Sequence, residues 1–379
     1  MTTTKVTLEA GLEGVVAATS RLCYLDGQRG ILAYCGHDIH ELARSATFEE
    51  VCYLLWHRRL PTRAELGDLQ TELARARPLP EAVLRVMQSL PLGNTMDSVR
   101  TIVSVLAHHD PEAGDDSLAA SQRKAVRLTA QIATVVATLG RLASARGQVE
   151  PDPVLSHAAN FLYVLTGERP NPTVTRALDV ALILHADHEL NASTFAARVA
   201  AATLADLHST IVAGIATLKG PLHGGAAESV MAMAEEIGDP AEATAYAKRV
   251  LDGHGRIMGF GHRVYRAEDP RAQHLRERSK ALGEKLGQPK WIQILDALVE
   301  AMAPYRAKGI HVNVDFFAGS IYQLMGIPED MFIPIFALGR IPGWTLQVLE
   351  QYENNILIRP LLYYEGPMDL EYVPLEARD

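Results

Sequence analysis

Residues 217–230, TLKGPLHGGAAESV, decide how the chain is read. An alanine-rich helical pattern runs into Thr217-Leu218 and stops at Gly220-Pro221, and a new amphipathic pattern opens at Ala226. Proline ends one helix, and the glycines let a backbone or ligand come close. The same punctuation recurs along the chain. Thr47 and Glu50 form a capping box that opens TFEEVCYLLWHRR, and Pro61 closes it. Amphipathic or wholly apolar segments follow at about 62–76, 81–90, 95–108, 121–146, 153–166, 173–185, 192–218, 225–237, 240–253, 272–287, 291–304, 317–325, 328–338 and 342–353. Clusters such as DPEAGDD and GERPNP separate them. Runs such as ALDVALILHA have no polar face, so they predict helices buried inside a bundle. Strand is predicted at 13–40, around an Asp26-Gly27 hairpin turn, and at 356–364. The fold class is all-α, with a minor β-hairpin near the N-terminus.

A chain of 379 residues with 48% hydrophobic content can bury a large core and is expected to form two domains. The net charge is −9 and no basic run with interleaved aromatics occurs, which excludes the footprint of a nucleic-acid binder. Arginines stand singly beside glycine-rich turns instead, which suits a small anion in a pocket. The first residues carry no apolar core of a signal peptide, and no uninterrupted apolar stretch approaches bilayer length, so no membrane association is expected. Three cysteines, Cys23, Cys35 and Cys52, show no Cys-x-x-Cys spacing and read as small apolar residues of a reduced, cytoplasmic protein.

Within that frame, three polar segments stand out. His223 sits on the loop of 217–230, where it is either presented to a ligand or simply solvated. GFGHRVYRAEDPRA carries His262 and Arg271, and HVNVDFFAG carries Asp315 in an apolar, strand-like setting. Asp315 is either a desolvated base or the cap of a helix starting near Gly319. His185 and His188 are three apart and would share a face if the helix continued, yet no third ligand completes a metal site. DGHGRIMGFGH lacks the preceding strand and glycine spacing of a dinucleotide fold, and neither a phosphate loop nor a Gly-x-Ser-x-Gly elbow is present. Turn histidines, one apolar-flanked Asp and scattered arginines suit chemistry on a substrate with two carboxylates and a carbonyl.

These strings carry a family resemblance. From GLEGVVAATSRLCYLDGQRGILAYCG through HAANFLY, LILHADHELNAST, LKGPLHGGA, RIMGFGHRVYRAEDPRA and NVDFFAG to VPLEAR, nearly the whole chain resembles citrate synthases of the shorter bacterial and archaeal type. The missing N-terminal extension argues against the larger NADH-regulated type. The resemblance implies a cytoplasmic homodimer acting in the tricarboxylic acid cycle. It would have a large domain (1–219 and 327–379) and a small one (220–326) that closes over substrate. It implies condensation of acetyl-CoA with oxaloacetate and water, without metal or other cofactor, by a catalytic trio of His223, His262 and Asp315. His188, Arg271, Arg340 and Arg359 would hold oxaloacetate, Arg359 lent by the neighbouring subunit. Arg256, Ile257, Met258, Gly259 and Phe260 would receive the adenine end of coenzyme A, with Arg266 near its phosphates. Ala227, Gln347 and Leu361 depart from the family pattern and bear on acyl preference and carboxylate geometry. The alternatives are 2-methylcitrate synthase, which uses propionyl-CoA, and a non-catalytic helical ligand-binding protein.

Overall fold

A computed structural model describes residues 10–12 and 14–378; the N-terminal stretch read above as no signal peptide lies mostly outside them. Strands β1 (Cys23–Asp26), β2 (Ile31–Tyr34) and β3 (His37–Asp38) make one antiparallel sheet, with Asp26 opposite Ile31 across the expected turn. Asp38 then caps α1 (Ile39–Ser45), a helix not foreseen. Next come α2 (Phe48–His57), α3 (Arg63–Ala76), α4 (Glu81–Ser89), α5 (Thr95–Ala107), α6 (Leu118–Ala143), α7 (His157–Thr166) and α8 (Pro172–His185). The Thr47/Glu50 capping box forms as read, and Thr62/Glu65 makes a second.

The segment expected as one helix over 192–218 is two, α9 (Ala192–Ala202) and α10 (Leu207–Leu218), folded back on each other. Leu204 takes a left-handed φ of 62°, and Asp206 accepts from Ser209 N to start α10. No glycine or proline marks that break, so periodicity ran through it. Then follow α11 (Ala226–Ile237), α12 (Ala243–Asp252), α13 (Ala272–Lys285), α14 (Lys290–Ala301) and α15 (Asp315–Leu324). These five pack chiefly on one another and reach the rest through α8 and α16.

The segments expected at 328–338 and 342–353 are a single helix, α16 (Phe332–Glu353), which runs through Pro342. Proline in a helix interior costs about 3 kcal/mol, and burial on every side of α16 against α2, α6, α8, α9 and α10 outweighs it. With its preceding turn, this is the one stretch among the described residues long and apolar enough to cross a membrane, contrary to the reading that none exists. Its whole apolar window is buried inside the protein. Two glycines let α16 touch the end of α8 by backbone: a Cβ at Gly339 would meet Leu182 O at 3.2 Å, and one at Gly343 would meet Ala186 O at 2.0 Å. The strand expected at 356–364 is absent; the chain there is irregular, mostly exposed and without a pairing partner among the described residues. The three cysteines are free.

Candidate active site

The contact between α16 and the end of α8 sets two polar groups side by side. Arg340 is buried; its Nε donates to His185 O and its guanidinium carbon stacks 4.8 Å from the Phe336 ring centroid. Its Nη1 is buried with no partner. α8 stops at His185, as its sequence pattern does, so the helix does not continue to His188 and the two histidines share no helix face. His185 turns to Tyr322 (Nε2 to Oη, 3.2 Å), whereas His188 meets Tyr265 (Nε2 to Oη, 3.3 Å) with its ring 5.2 Å from that of His262.

His262 is held by the N-terminal hairpin. Arg266 N and Ala267 N donate to Gly27 O at 2.8 and 3.3 Å, and a Cβ at Gly27 would fall 2.3 Å from Val264 O, so the Asp-Gly turn is needed for close approach. Within the loop so pinned, Val264 N and Tyr265 N both donate to His262 Nδ1, at 3.0 and 3.1 Å. A ring nitrogen that accepts from backbone N–H groups carries no proton, which leaves the proton on Nε2. Burial first, then the charge of Arg271, pushes its pKa down to about 4.

His223 obeys the same logic with the opposite tautomer. Ser193 N, which can only donate, reaches its Nε2 at 3.3 Å, so the proton resides on Nδ1; Ser193 Oγ lies 2.8 Å from that nitrogen and 2.8 Å from Asn191 Oδ1. Trp344 Nε1 donates to the same Oγ at 3.2 Å, tying His223 to α16. Burial, then Arg340, brings this histidine also to about 4. Both imidazoles are therefore neutral donors at pH 7.

Asp315 is the first residue of α15, not part of a strand and not a cap for a helix starting near Gly319. Its N–H donates to Asn313 Oδ1 at 3.1 Å, and Asn313 is tied to Gly259 O and Gly261 O in the loop opposite. The carboxylate has a buried, unpartnered Oδ1, and burial pushes its pKa up to about 7 against the nearby arginines. Arg271 is fully buried and gripped by Asp269: Nε to Oδ1 2.9 Å, Nη2 to Oδ2 2.7 Å. Asp269 Oδ2 also accepts from Val314 N at 3.1 Å, so Arg271 and the start of α15 share one anchor. Two prongs of the arginine fork are thus already committed within the protein.

The structure gathers His188, His223, His262, Arg271, Arg340 and Asp315 into one charge-coupled cluster. Ile257 and Gly259 are buried beside it; Gly259 has φ 76°, and a Cβ there would meet Phe316 at 2.6 Å. Met258 and Phe260 are half-buried, and Arg256 and Arg266 are exposed, Arg266 Nη1 donating to His262 O at 3.3 Å. Arg359 stands apart on the exposed segment after α16. Of the departures, Ala227 is buried on α11, Gln347 is buried on α16 and Leu361 is exposed. Among the described residues no group of three or more metal-ligating side chains assembles. The sequence reading missed Ser193 and Asp269, which set a tautomer and an arginine's direction. The signal was their place inside NAST and EDPRA, beside residues already singled out.

Neutral imidazole donors, a carboxyl poised near neutrality and two buried guanidiniums define acid–base chemistry on an anionic substrate. The citrate synthase C-terminal domain family matches residues 11–361, and the chain belongs to the citrate synthase family. It is 46% identical to the citrate synthase of Haloferax volcanii, over 98% of this chain and 99% of that one. It is 40% identical to the 2-methylcitrate synthase of Mycobacterium tuberculosis, over 95% and 91%. Among solved structures it resembles the citrate synthase of Pyrobaculum aerophilum (41% identity, TM-score 0.93, covering 97% of this chain and 95% of that one). It also resembles that of Thermoplasma acidophilum, solved as a ternary complex with carboxymethyl coenzyme A and oxaloacetate (33% identity, TM-score 0.92, covering 98% and 100%).

Proposed function

We propose that this chain condenses acetyl-CoA with oxaloacetate and water to give citrate and coenzyme A. The observation that carries the reading is the pair of backbone-enforced tautomers, His223 with Nδ1–H and His262 with Nε2–H, in a cluster with a desolvated Asp315. Asp315 takes a proton from the acyl methyl group while His223 Nδ1–H bonds the thioester oxygen, where enolate charge develops. The enol carbon attacks the ketone of oxaloacetate. His188 polarises that ketone, and His262 Nε2–H delivers a proton to the new alkoxide. Water then cleaves citryl-CoA. Arg271, Arg340 and Arg359 hold the keto acid's carboxylates; Arg256 to Phe260 and Arg266 receive coenzyme A. Every role falls to a side chain or backbone group, so the scheme calls for no metal or cofactor.

A homodimer completes the site in this reading, with Arg359 crossing to the partner's pocket. Its support is the segment after α16, where Leu361, Leu362, Tyr363 and Tyr364 are all exposed in a single chain and need a cover. Residues 220–326 form the small domain that closes on the large one and excludes water from the enolate; the mutual packing of α11–α15 supports that division. The protein works in the cytoplasm and in the tricarboxylic acid cycle. Propionyl-CoA is the alternative acyl donor, favoured by the 2-methylcitrate synthase among the relatives, since one methylene is worth only about 1–3 kcal/mol. Thiol release from acetyl-CoA and from propionyl-CoA, each with oxaloacetate, tests the reading. A higher kcat/KM for acetyl-CoA is expected; a higher value for propionyl-CoA assigns the chain to the alternative, and none with either refutes both.

A further inference from the structure

Asp187 lies between His185 and His188 and has no part in the scheme above, yet it is held from both its backbone and its side chain beside the site. It is buried. Tyr34 of β2 clamps its backbone, Oη donating to Asp187 O at 2.9 Å and accepting from Asp187 N at 3.3 Å. Its Oδ2 accepts from Gln347 Nε2 at 3.1 Å. Gln347 cannot turn over, because its Oε1 accepts from Arg198 Nη1 at 2.8 Å and a guanidinium only donates.

The other carboxylate oxygen, Oδ1, is buried with no partner, and so is Nη1 of Arg340. Each is the other's strongest charged influence: Arg340 does most among its neighbours to keep Asp187 ionised against burial, and Asp187 does most to keep Arg340 charged. Gly343 makes the approach of α16 possible, since a Cβ there would lie 3.0 Å from Asp187 Oδ1.

We propose that Asp187 is the resident counter-ion of Arg340, competing with a substrate carboxylate for the guanidinium, and that Gln347 is the neutral tether that keeps it from closing on the arginine. A cation buried alone is costly. Asp187 offsets that cost without a direct hydrogen bond, so an arriving carboxylate finds Nη1 unengaged. Asp187 is thus a positioning residue, and its negative charge opposes ligand binding. An imidazole at position 347 could serve the same relay by accepting from Arg198 at one nitrogen and donating to Asp187 at the other. The inference rests on the reading of Arg340 as a holder of the keto acid.

The test measures kcat, KM and calorimetric Kd for oxaloacetate on the intact protein and on Asp187→Asn, Gln347→Leu, Gln347→His and Arg340→Gln. Asp187→Asn removes the competing charge, so Kd and KM fall about five- to tenfold while the melting temperature drops. Gln347→Leu leaves the carboxylate only its contacts with the His188 backbone and the Cys23 thiol, free to shift toward Arg340, so KM rises by a similar factor with kcat within about twofold. Gln347→His restores the original KM. A network of purely structural value would lower activity alike in the first two variants, so an unchanged or raised KM in Asp187→Asn overturns the proposal. Should that variant not fold, Gln347→Leu decides: an unchanged KM, or a loss confined to kcat, overturns it. If Arg340→Gln binds oxaloacetate as tightly as the parent, the carboxylate-holding reading itself fails; if only that variant weakens binding, the counter-ion role alone fails.

Discussion

Replacing Asp315 with asparagine should make the protein more stable at alkaline pH while abolishing turnover. In the folded chain burial raises this carboxyl from its ordinary 3.8 to about 7. Between those values the folded protein holds a proton that the unfolded chain has released. Stability therefore falls as pH rises through that window, and the penalty is fully present above about 7. At about 1.4 kcal/mol per unit the ionised carboxylate costs on the order of 4 kcal/mol. The asparagine amide keeps part of the desolvation cost, because Oδ1 has no hydrogen-bond partner, so a net gain of about 2–3 kcal/mol at pH 8 is expected. For 379 residues that amounts to about 3–4 °C in melting temperature. Scanning calorimetry of both proteins at pH 8 and pH 5 reads it directly, and the gain should shrink by more than half at pH 5. A variant less stable than the parent at pH 8, or a gain independent of pH, would refute the claim that Asp315 is held ionised at a cost.

With both histidines lowered to about 4 and Asp315 raised to about 7, kcat/KM for acetyl-CoA should climb with pH through about 7 and stay level to pH 8.5; a flat profile from pH 5.5 would contradict Asp315 as the base. Arg271→Lys cannot reproduce the bidentate grip on Asp269, so kcat/KM for oxaloacetate should fall by about 100-fold, and near-normal kinetics would show the fork is dispensable. Mixed dimers of Asp315→Asn and Arg359→Ala should regain about half of native activity per purified heterodimer, because one pocket carries both lesions and the other none. Activity no higher than in either parent variant would place Arg359 in its own subunit's site.

How far the chain could be read without coordinates depended on whether the deciding force was local. The capping threonines, the Asp26-Gly27 turn and the proline after α10 act over a few residues, and those elements form where the sequence places them. The errors fall where tertiary packing overrides local preference: Pro342 inside a wholly buried helix, the break at Leu204, and an apolar 356–364 segment with no strand to pair with. At the site, the motif strings marked every residue of the cluster. They could not show which nitrogen of His223 or His262 bears the proton, since that is set by Ser193, Val264 and Tyr265 backbone donors in the folded chain. Nor could they show that Arg271 spends two prongs on Asp269, or that an Asp flanked by valine and phenylalanine opens a helix.

The most direct test of the proposed chemistry is carbon NMR of the purified protein given acetyl-CoA labelled in the methyl carbon together with oxaloacetate. The proposal predicts that the label appears in a methylene of citrate, that coenzyme A is released in equal amount, and that Asp315→Asn yields neither. Release of labelled acetate, or coenzyme A freed in the absence of oxaloacetate, would contradict a carbon–carbon bond-forming site.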